Sequence, residues 1–183
     1  MQRVYQIISK LKEVYEKEID EEPSIEEIKK FNEFCKERGL IGSEPFFCPE
    51  EWYYRDVQKL LNRDDVVLDA GAGDLRFSLI MSEFVKKVYA VEINPKILGY
   101  ALKTVGFDMP ENVVVIAGDV REIELPSDVT TIVCLMIHRT WPFPESWKDR
   151  RIIYTSREEL TRIFVLDNDE ISLPANQCLF SIG

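Results

Sequence analysis

The sequence predicts an α/β fold, in which a mostly parallel sheet of about seven strands follows a helical N-terminal extension. Two observations lead to this prediction. Residues 1–61 place apolar side chains at helical spacing, whereas residues 64–183 alternate strand-like and helix-like segments. Repeated strand–helix–strand order is typical of a parallel sheet that is covered on both faces. We therefore divide the chain into a helical extension, residues 1–61, and an α/β core, residues 62–183.

The extension contains three predicted helices. The first carries an apolar stripe formed by Val4, Ile7, Ile8, Leu11, Val14 and Tyr15. A break at residues 20–23 precedes a capping box, in which Ser24 begins a helix and Glu27 follows three residues later. Gly39 ends that helix. Residues 49–51, Pro-Glu-Glu, begin the third helix, because proline suits the first helical position and acids suit the first turn.

The core contains seven predicted strands, at residues 66–68, 87–91, 113–117, 130–137, 151–154, 163–166 and 178–182. A helix is predicted from about Leu75 to Val85. A second helix begins at Asn94 and Pro95 and ends at Gly106. A third, short helix follows the capping box that starts at residue 156. Sheets of this kind bind ligands beyond the carboxyl ends of their strands.

The net charge of the chain limits the kinds of ligand that it is expected to bind. The formal net charge is −10. Polyanions such as DNA and long RNA are bound by clustered Lys and Arg, so the acidic balance disfavours bulk nucleic-acid binding. Adjacent Arg150 and Arg151, with Arg157 and Arg162 nearby, are interpreted as a solvated face rather than a basic patch.

The composition also indicates the cellular compartment in which the chain is expected to lie. No apolar run is long enough to span a bilayer, and charged residues interrupt the N-terminus. We therefore expect a cytoplasmic chain without a membrane partner. The four cysteines are scattered and the chain has one histidine, which predicts reduced thiols and no metal site. Abundant Glu and Lys with few Gln indicate a heat-adapted source.

A glycine-containing turn joins the first predicted strand to the helix after it. It reads Asp-Ala-Gly-Ala-Gly-Asp, from Asp69 to Asp74. The glycines permit a tight turn and close approach of a ligand, and the helix N-terminus supplies free N–H groups. Glu92 ends the second strand, where a carboxylate can accept both hydroxyls of a ribose. Asp119 ends the third, where a carboxylate can accept an adenine amino group. These features predict a nucleoside-binding site.

The acids around the turn favour one nucleoside cofactor over another. A dinucleotide carries a pyrophosphate, and its fingerprint requires a third glycine where this chain has Arg76. Asp69 and Asp74 would repel that pyrophosphate, at a cost of about 4 kcal/mol for a like-charge contact near 4 Å at the surface. S-adenosylmethionine instead carries a sulfonium and an ammonium, which carboxylates attract. The turn therefore favours S-adenosylmethionine over NAD.

Residues 66–76, together with Glu92 and Asp119, resemble the class I S-adenosylmethionine-dependent methyltransferases. The resemblance covers roughly residues 46–183. Within the class I family, the chain is most similar to small archaeal methyltransferases, including the protein-lysine type. It implies a Rossmann-like sheet whose last strand is antiparallel. One residue departs from the family pattern, because Leu75 stands where the family often has a third glycine.

The resemblance also implies roles for individual residues. Gly71 and Gly73 would approach the methionine moiety, Asp69 and Asp74 its amino group, Glu92 the ribose and Asp119 the adenine. The full set of expected cofactor-binding residues is Asp69, Ala70, Gly71, Gly73, Asp74, Glu92, Ile93, Asp119, Val120 and Leu135.

These expectations lead to one principal function and two alternatives. The principal function is methyl transfer to an unidentified acceptor, either a protein lysine or another molecule, which includes small molecules. One alternative is a non-catalytic S-adenosylmethionine-binding protein that acts through its helical extension. The other is an NAD-linked enzyme, against which the acidic turn argues. The extension could serve as a lid, as an acceptor-binding cap or as the surface of a homodimer.

No catalytic residue is assigned from the sequence, since methyl transfer needs positioning more than a dedicated base. His138 follows the fourth strand and is either a general base or a surface residue. Residues 141–144, Trp-Pro-Phe-Pro, either line an acceptor pocket or form a rigid apolar loop over the sheet edge.

Overall fold

The computed structural model describes residues 2–14, 33, 51–137, 143–156, 162–168 and 170–172. Within them, seven strands form one sheet in the order β3-β2-β1-β4-β5-β6-β7. The strands are β1 Val66–Ala70, β2 Lys87–Glu92, β3 Val113–Ala117, β4 Thr131–Ile137, β5 Arg151–Ser156, β6 Ile163–Asp167 and β7 Glu170–Ser172. The predicted α/β fold with a mostly parallel sheet is confirmed.

Strands β1 to β5 run parallel, whereas β6 is antiparallel to β5 and β7 is antiparallel to β6. The chain builds outward from β1 through β2 to β3, then returns to place β4 on the other side of β1. The strand order therefore reverses between β1 and β4. In open sheets of this type, that reversal opens a crevice at the carboxyl ends of the strands.

Four α-helices belong to the described residues: α1 Gln2–Val14, α2 Glu51–Gln58, α3 Arg76–Ser82 and α4 Pro95–Val105. The start of α4 agrees with its prediction. The Asn94 side chain accepts hydrogen bonds from the backbone N–H groups of Lys96 and Ile97, and Pro95 occupies the first turn. Gly106 ends the helix with a positive φ of 53°.

The two faces of the sheet are covered differently. All four helices pack on one face, against a cluster that includes Val67, Val88, Val133, Ile153 and Val165. The other face, which carries Leu68, Ile132 and Ile152, packs against Val129 and Trp147 from the β3–β4 and β4–β5 connections. Right-handed crossovers explain the division, because strands added in opposite directions from β1 send their connections to opposite faces. Each fully buried Val, Leu or Ile contributes about 1.5–3 kcal/mol.

Several predicted elements lie outside the described residues. They are the helix that starts at Ser24, the helix that follows residue 156 and the strand at residues 178–182. The structure also contains a strand that the sequence patterns did not predict, β7 at Glu170–Ser172. Of the four cysteines, the described residues include Cys134, which is buried and free. No helix in the described part of the chain combines the length and apolarity needed to cross a bilayer.

Leu75, immediately before α3, has an unusual backbone conformation. Its φ is 68° and its ψ is −1°, which is the left-handed region that favours glycine. Its side chain is nevertheless fully buried, at 0% exposure. Leu75 therefore adopts the backbone geometry of the glycine that the resemblance leads one to expect, and its burial offsets a left-handed strain of about 1–2 kcal/mol.

Truncation of Leu75 in two steps tests this conformation. Leu75→Ala should lower the free energy of unfolding by about 2–5 kcal/mol through loss of the buried side chain. Leu75→Gly should then be about 1 kcal/mol more stable than Leu75→Ala, because glycine adopts positive φ without strain. Urea denaturation of both variants measures the step.

Leu79, equally buried but inside α3, is the matched control. There Leu79→Gly should be less stable than Leu79→Ala by about 0.5–1 kcal/mol, because glycine is unfavourable within a helix. If the alanine-to-glycine step had the same sign at both positions, the left-handed conformation of Leu75 would be disproved.

Candidate active site

Three buried acidic side chains lie at the carboxyl ends of β1, β2 and β3. Asp69 lies in β1, Glu92 ends β2, and Asp119 follows β3. Their exposed fractions are 4%, 7% and 8%. Burial of an unpaired carboxylate is costly, so each must be held by hydrogen bonds, neutralised by a partner or reserved for a cationic ligand. The three acids differ in which of these applies.

The glycine turn is tied to the end of β2. The backbone N–H groups of Gly71 and Ala72 both donate to the Val91 carbonyl oxygen at 2.9 Å. The Gly73 N–H donates to Glu92 Oε2 at 2.7 Å. Gly71 and Gly73 have positive φ values of 80° and 56°, which L side chains rarely adopt. Glycine adopts these values without strain, which favours glycine at both positions.

Glu92 joins the glycine turn to the start of α4. Its Oε2 accepts from Gly73, and its Oε1 accepts from the Asn94 N–H at 2.6 Å. Burial raises the pKa of Glu92, while the backbone hydrogen bonds from Asn94, Gly73 and Ile93 act in the opposite direction. A carboxylate has about four lone-pair sites, so after three backbone hydrogen bonds Glu92 can accept one further hydrogen bond from a ligand hydroxyl.

Asp69 lies beneath the glycine turn and accepts a hydrogen bond from the Ser78 hydroxyl at 2.5 Å. Burial raises the pKa of Asp69 to about 7; the Ser78 hydrogen bond lowers it and the nearby Glu92 raises it further. A carboxyl group with this pKa is close to half ionised at neutral pH. A cationic ligand would favour its ionised form.

Asp74 and Asp119 are each neutralised by an arginine two residues later. Arg76 Nε lies 2.8 Å from Asp74 Oδ2, and Arg76 Nη2 lies 2.5 Å from the same oxygen. Arg121 contacts Asp119 in the same side-on manner, with Nε at 2.9 Å from Oδ1. In both pairs the backbone N–H of the arginine also donates to the aspartate Oδ1. Two Asp-x-Arg pairs therefore flank the site.

The pairing of Asp74 with Arg76 changes which acids can attract a cationic ligand. The aspartates at both ends of the glycine turn were expected to attract an ammonium group. Because Arg76 neutralises Asp74, the attraction falls on Asp69 and Glu92, neither of which forms an ion pair within the described residues. Sequence reasoning missed the roles of Arg76, Arg121 and Ser78. The repeated Asp-x-Arg spacing was a signal that could have revealed the two arginines.

The remaining expected residues lie at the same edge of the sheet. Ala70 is the buried last residue of β1, and Ile93 and Val120 are half-buried just beyond β2 and β3. Leu135 is half-buried in β4, two residues past the partner of Asp69. The pairing of β4 with β5 shifts register between Cys134 and Ile137, as is common beside active sites.

Two further expectations from the sequence concern His138 and residues 141–144, which follow β4. His138 and Trp141 lie outside the described residues. Phe143 packs against Trp147, with ring centres 5.7 Å apart, and meets Tyr154 edge-on at 5.3 Å. Phe143 therefore belongs to the apolar packing on the face of the sheet opposite the four described α-helices.

Comparison with known proteins identifies related chains. The TRM5/TYW2 methyltransferase domain matches residues 47–154. Trm5b of Pyrococcus abyssi, a tRNA (guanine(37)-N(1))-methyltransferase, is 36% identical over 72 residues, which are 39% of this chain and 22% of that protein. The tRNA(Phe) (4-demethylwyosine(37)-C(7)) aminocarboxypropyltransferase of Methanocaldococcus jannaschii is 30% identical over 99 residues, which are 51% of this chain and 40% of that protein. The chain thus spans less than half the length of either relative.

A solved structure supports the fold alone. The dimethyladenosine transferase of Plasmodium falciparum superposes with a TM-score of 0.50 at 13% identity, covering 63% of this chain and 45% of that one.

The relatives correct one prediction. Both are named for tRNA, so the prediction that the acidic balance disfavours nucleic-acid binding was wrong. The physical reason is that net charge averages over the whole surface, whereas a phosphate backbone is held by a few local cations. The expected acceptors, a protein lysine or a small molecule, find no support in these relatives.

The relatives agree with the predicted resemblance to archaeal methyltransferases, since both come from archaea. The match of residues 47–154 settles the class of protein. The chain belongs to the TRM5/TYW2 methyltransferase domain family, within the class I S-adenosylmethionine-dependent methyltransferases, and the predicted cofactor and enzyme class are confirmed.

Proposed function

We propose that the chain binds S-adenosylmethionine across the carboxyl ends of β1, β2 and β3 and transfers its methyl group to a nucleotide of tRNA. The observation that carries the cofactor site is a pair of buried acids, Asp69 and Glu92, that have no cationic partner among the described residues. They adjoin a turn built on two positive-φ glycines. The tRNA acceptor is supported by the two relatives named for tRNA modification.

The proposed roles follow from the geometry. Gly71 and Gly73 let the backbone approach the methionine moiety, and Asp69 attracts its ammonium group. Glu92 accepts a ribose hydroxyl while it holds the turn. Asp119 lies at the adenine end of the site, where Arg121 holds its carboxylate in place. Asp74 borders the methionine end, where its pairing with Arg76 fixes the turn. Ala70, Ile93, Val120 and Leu135 line the site.

When bound, S-adenosylmethionine supplies a methyl group from its sulfonium, and the sulfur is left as a neutral thioether. The acceptor atom that gains the methyl group gives up a proton. The protein contributes mainly position and water exclusion. A turn held at both Val91 and Glu92 is suited to this task, because it is rigid before the ligand arrives.

Binding of the cofactor tests the site directly. Glu92→Gln should weaken S-adenosylmethionine binding by about 10- to 100-fold, because one oxygen that accepts hydrogen bonds is lost from a buried site. Isothermal titration calorimetry measures the change. Glu122→Gln is the matched control, since it makes the same substitution at an exposed residue nearby and should leave the affinity unchanged. Equal affinity of wild type and Glu92→Gln would remove Glu92 from the site.

The pH dependence of binding tests the role of Asp69. Its pKa of about 7 means that the carboxyl becomes ionised as the pH rises through neutrality, and the ionised form attracts the cationic ligand. Affinity for S-adenosylmethionine should therefore rise roughly eightfold between about pH 6 and pH 7.5.

The amide variant separates Asp69 from other groups that titrate. Asp69→Asn should bind more weakly at the upper pH and lose most of the rise, whereas the exposed Asp64→Asn should behave as wild type. A rise of the same size in Asp69→Asn would assign the pH dependence to another group.

The acceptor is tested by transfer from labelled cofactor to unfractionated archaeal tRNA. The sulfonium of S-adenosylmethionine carries both a methyl and an aminocarboxypropyl group, and one relative is named for the second. Cofactor labelled in the methyl group should label the tRNA, and cofactor labelled in the carboxyl group should not. The reverse pattern would replace methyl transfer by aminocarboxypropyl transfer.

Two controls complete the transfer experiment. Ribonuclease should release the label, and Glu92→Gln should reduce transfer at limiting cofactor in proportion to its weaker binding. Cofactor binding without transfer to tRNA would contradict the proposed activity.

A further inference from the structure

The short helix α3 has two sides with different surroundings. Arg76 and Ile80, four residues apart, line a cavity of about 420 Å³ that lies between α1, α2 and α3. Ser78 does not line that cavity and has 0% exposure, so its side chain belongs to the interior. A hydroxyl buried in this way costs free energy unless it forms a hydrogen bond. Ser78 must therefore be satisfied by a partner inside the protein.

The Ser78 hydroxyl bonds across to the sheet instead of back to its own helix. Serine and threonine hydroxyls inside helices commonly donate to the backbone carbonyl three or four residues earlier. The other such hydroxyls in the described helices all do so: Ser9 donates to Tyr5, Ser82 to Leu79 and Thr104 to Tyr100. Ser78 instead donates to Asp69 Oδ2 on β1, at 2.5 Å. This departure from local bonding indicates a role in the site rather than in the helix.

Asp69 depends on this hydrogen bond more than the neighbouring acids depend on any one of theirs. Glu92 receives three backbone N–H groups, and Asp74 and Asp119 are each paired with an arginine. Among the described residues, the Ser78 hydroxyl is the one group that donates to Asp69. A hydrogen bond to the ionised form of a carboxyl group favours that form. Ser78 therefore acts against the burial that favours the protonated form of Asp69.

The titratable groups on the elements packed around Asp69 do not take over this task in the described part of the chain. Glu92, from β2, raises the pKa of Asp69 by like-charge repulsion. Cys134, from β4, is buried, and its pKa is raised well above the usual range, so it remains a neutral thiol near neutral pH. Arg76, at the start of α3, is held by Asp74. The hydroxyl from α3 is thus the group that favours the ionised carboxylate.

Packing fixes the position of Ser78 before any ligand binds. Phe77, the residue before it, stacks on Tyr54 with ring centres 4.8 Å apart. Leu79, the residue after it, has 0% exposure, and its backbone N–H donates to the Leu75 carbonyl oxygen at 2.9 Å. A hydroxyl held in this way keeps its carboxylate partner in one orientation, as a preorganised binding site requires.

We propose that Ser78 is a positioning residue for S-adenosylmethionine, whose hydroxyl keeps the Asp69 carboxylate ionised and oriented towards the ammonium group of the bound cofactor. The inference rests on the proposed function, because it takes Asp69 as the group that attracts this ammonium. It extends the cofactor site from the strand ends into α3. Through Asp69, Ser78 sets the pH range over which the site attracts a cation.

The pH dependence of cofactor affinity tests this role. Ser78→Ala removes the hydroxyl with little change in volume, so Asp69 should ionise only at higher pH. Affinity for S-adenosylmethionine, measured by isothermal titration calorimetry, should fall about tenfold at about pH 6 and by less than about twofold at about pH 8.5. The ratio of variant to wild type at each pH cancels any titration of the cofactor itself. A loss of the same size at every pH would indicate a structural role and would overturn the inference.

Two further variants control for structure and for coupling. Ser82→Ala removes another buried hydroxyl from α3, one that donates within its own helix, and it should keep the wild-type affinity within about twofold at both pH values. In an Asp69→Asn background, Ser78→Ala should change the affinity by less than about twofold, since Ser78 acts through the carboxylate. A further tenfold loss in the double variant would contradict the inference.

Thermal melting checks that each variant is folded. If Ser78→Ala does not melt cooperatively, Ser78→Cys replaces it in the same comparison. Its thiol is a weak donor, so the loss should be smaller than about tenfold and should again disappear at the upper pH.

Titration of the free protein separates the inference from the proposed function. Carbon-13 NMR of protein labelled in the aspartate carboxyl groups follows ionisation without cofactor, and Asp69→Asn assigns the resonance. Asp69 should titrate with its pKa of about 7 in wild type and at higher pH in Ser78→Ala. An unshifted titration, with wild type that binds cofactor and methylates tRNA, would overturn the inference and leave the proposed function standing. If wild type binds no S-adenosylmethionine, the proposed function fails and the inference fails with it.

Discussion

The carboxylate of Glu92 is the contact on which the rest of the site depends. One of its oxygens receives the N–H of Gly73 from the turn after β1, and the other receives the N–H of Asn94 at the start of α4. Hydrogen bonds to an ionised acceptor are stronger than those between neutral groups, and here they also offset the burial of the acid. A single side chain thereby joins two strand ends and a helix start.

The other acids at this edge are arranged around that contact. Asp74 and Asp119 are paired with Arg76 and Arg121, so their charges are neutralised within the protein. Asp69 lacks such a partner in the described part of the chain, and burial holds its pKa near neutrality. The site therefore keeps its negative charge where a cation is required. This separation of paired and unpaired acids distinguishes a ligand site from a set of buried ion pairs.

Arg76 connects the glycine turn to the cavity between α1, α2 and α3. Its guanidinium neutralises an acid of the cofactor turn and also forms part of the cavity between α1, α2 and α3. Leu75, the residue between Asp74 and Arg76, adopts a left-handed backbone and buries its side chain completely. The strained backbone of Leu75 therefore lies directly before α3, whose first residue, Arg76, lines the cavity.

Much of this architecture was readable from the sequence alone. Strand-like runs and helical stripes determined the α/β class, and the Asn94-Pro95 start and the Gly106 end of α4 followed from local capping chemistry. The turn from Asp69 to Asp74, with Glu92 and Asp119, could be placed at one edge because parallel strands end together. Tertiary structure alone decided which acids keep their charge, since pairing with Arg76 or Arg121 depends on side-chain orientation. It alone decided that the Ser78 hydroxyl contacts Asp69, because a helix and a strand bring their side chains together only when they pack. Net charge, summed along the chain, carries no information about such a local arrangement.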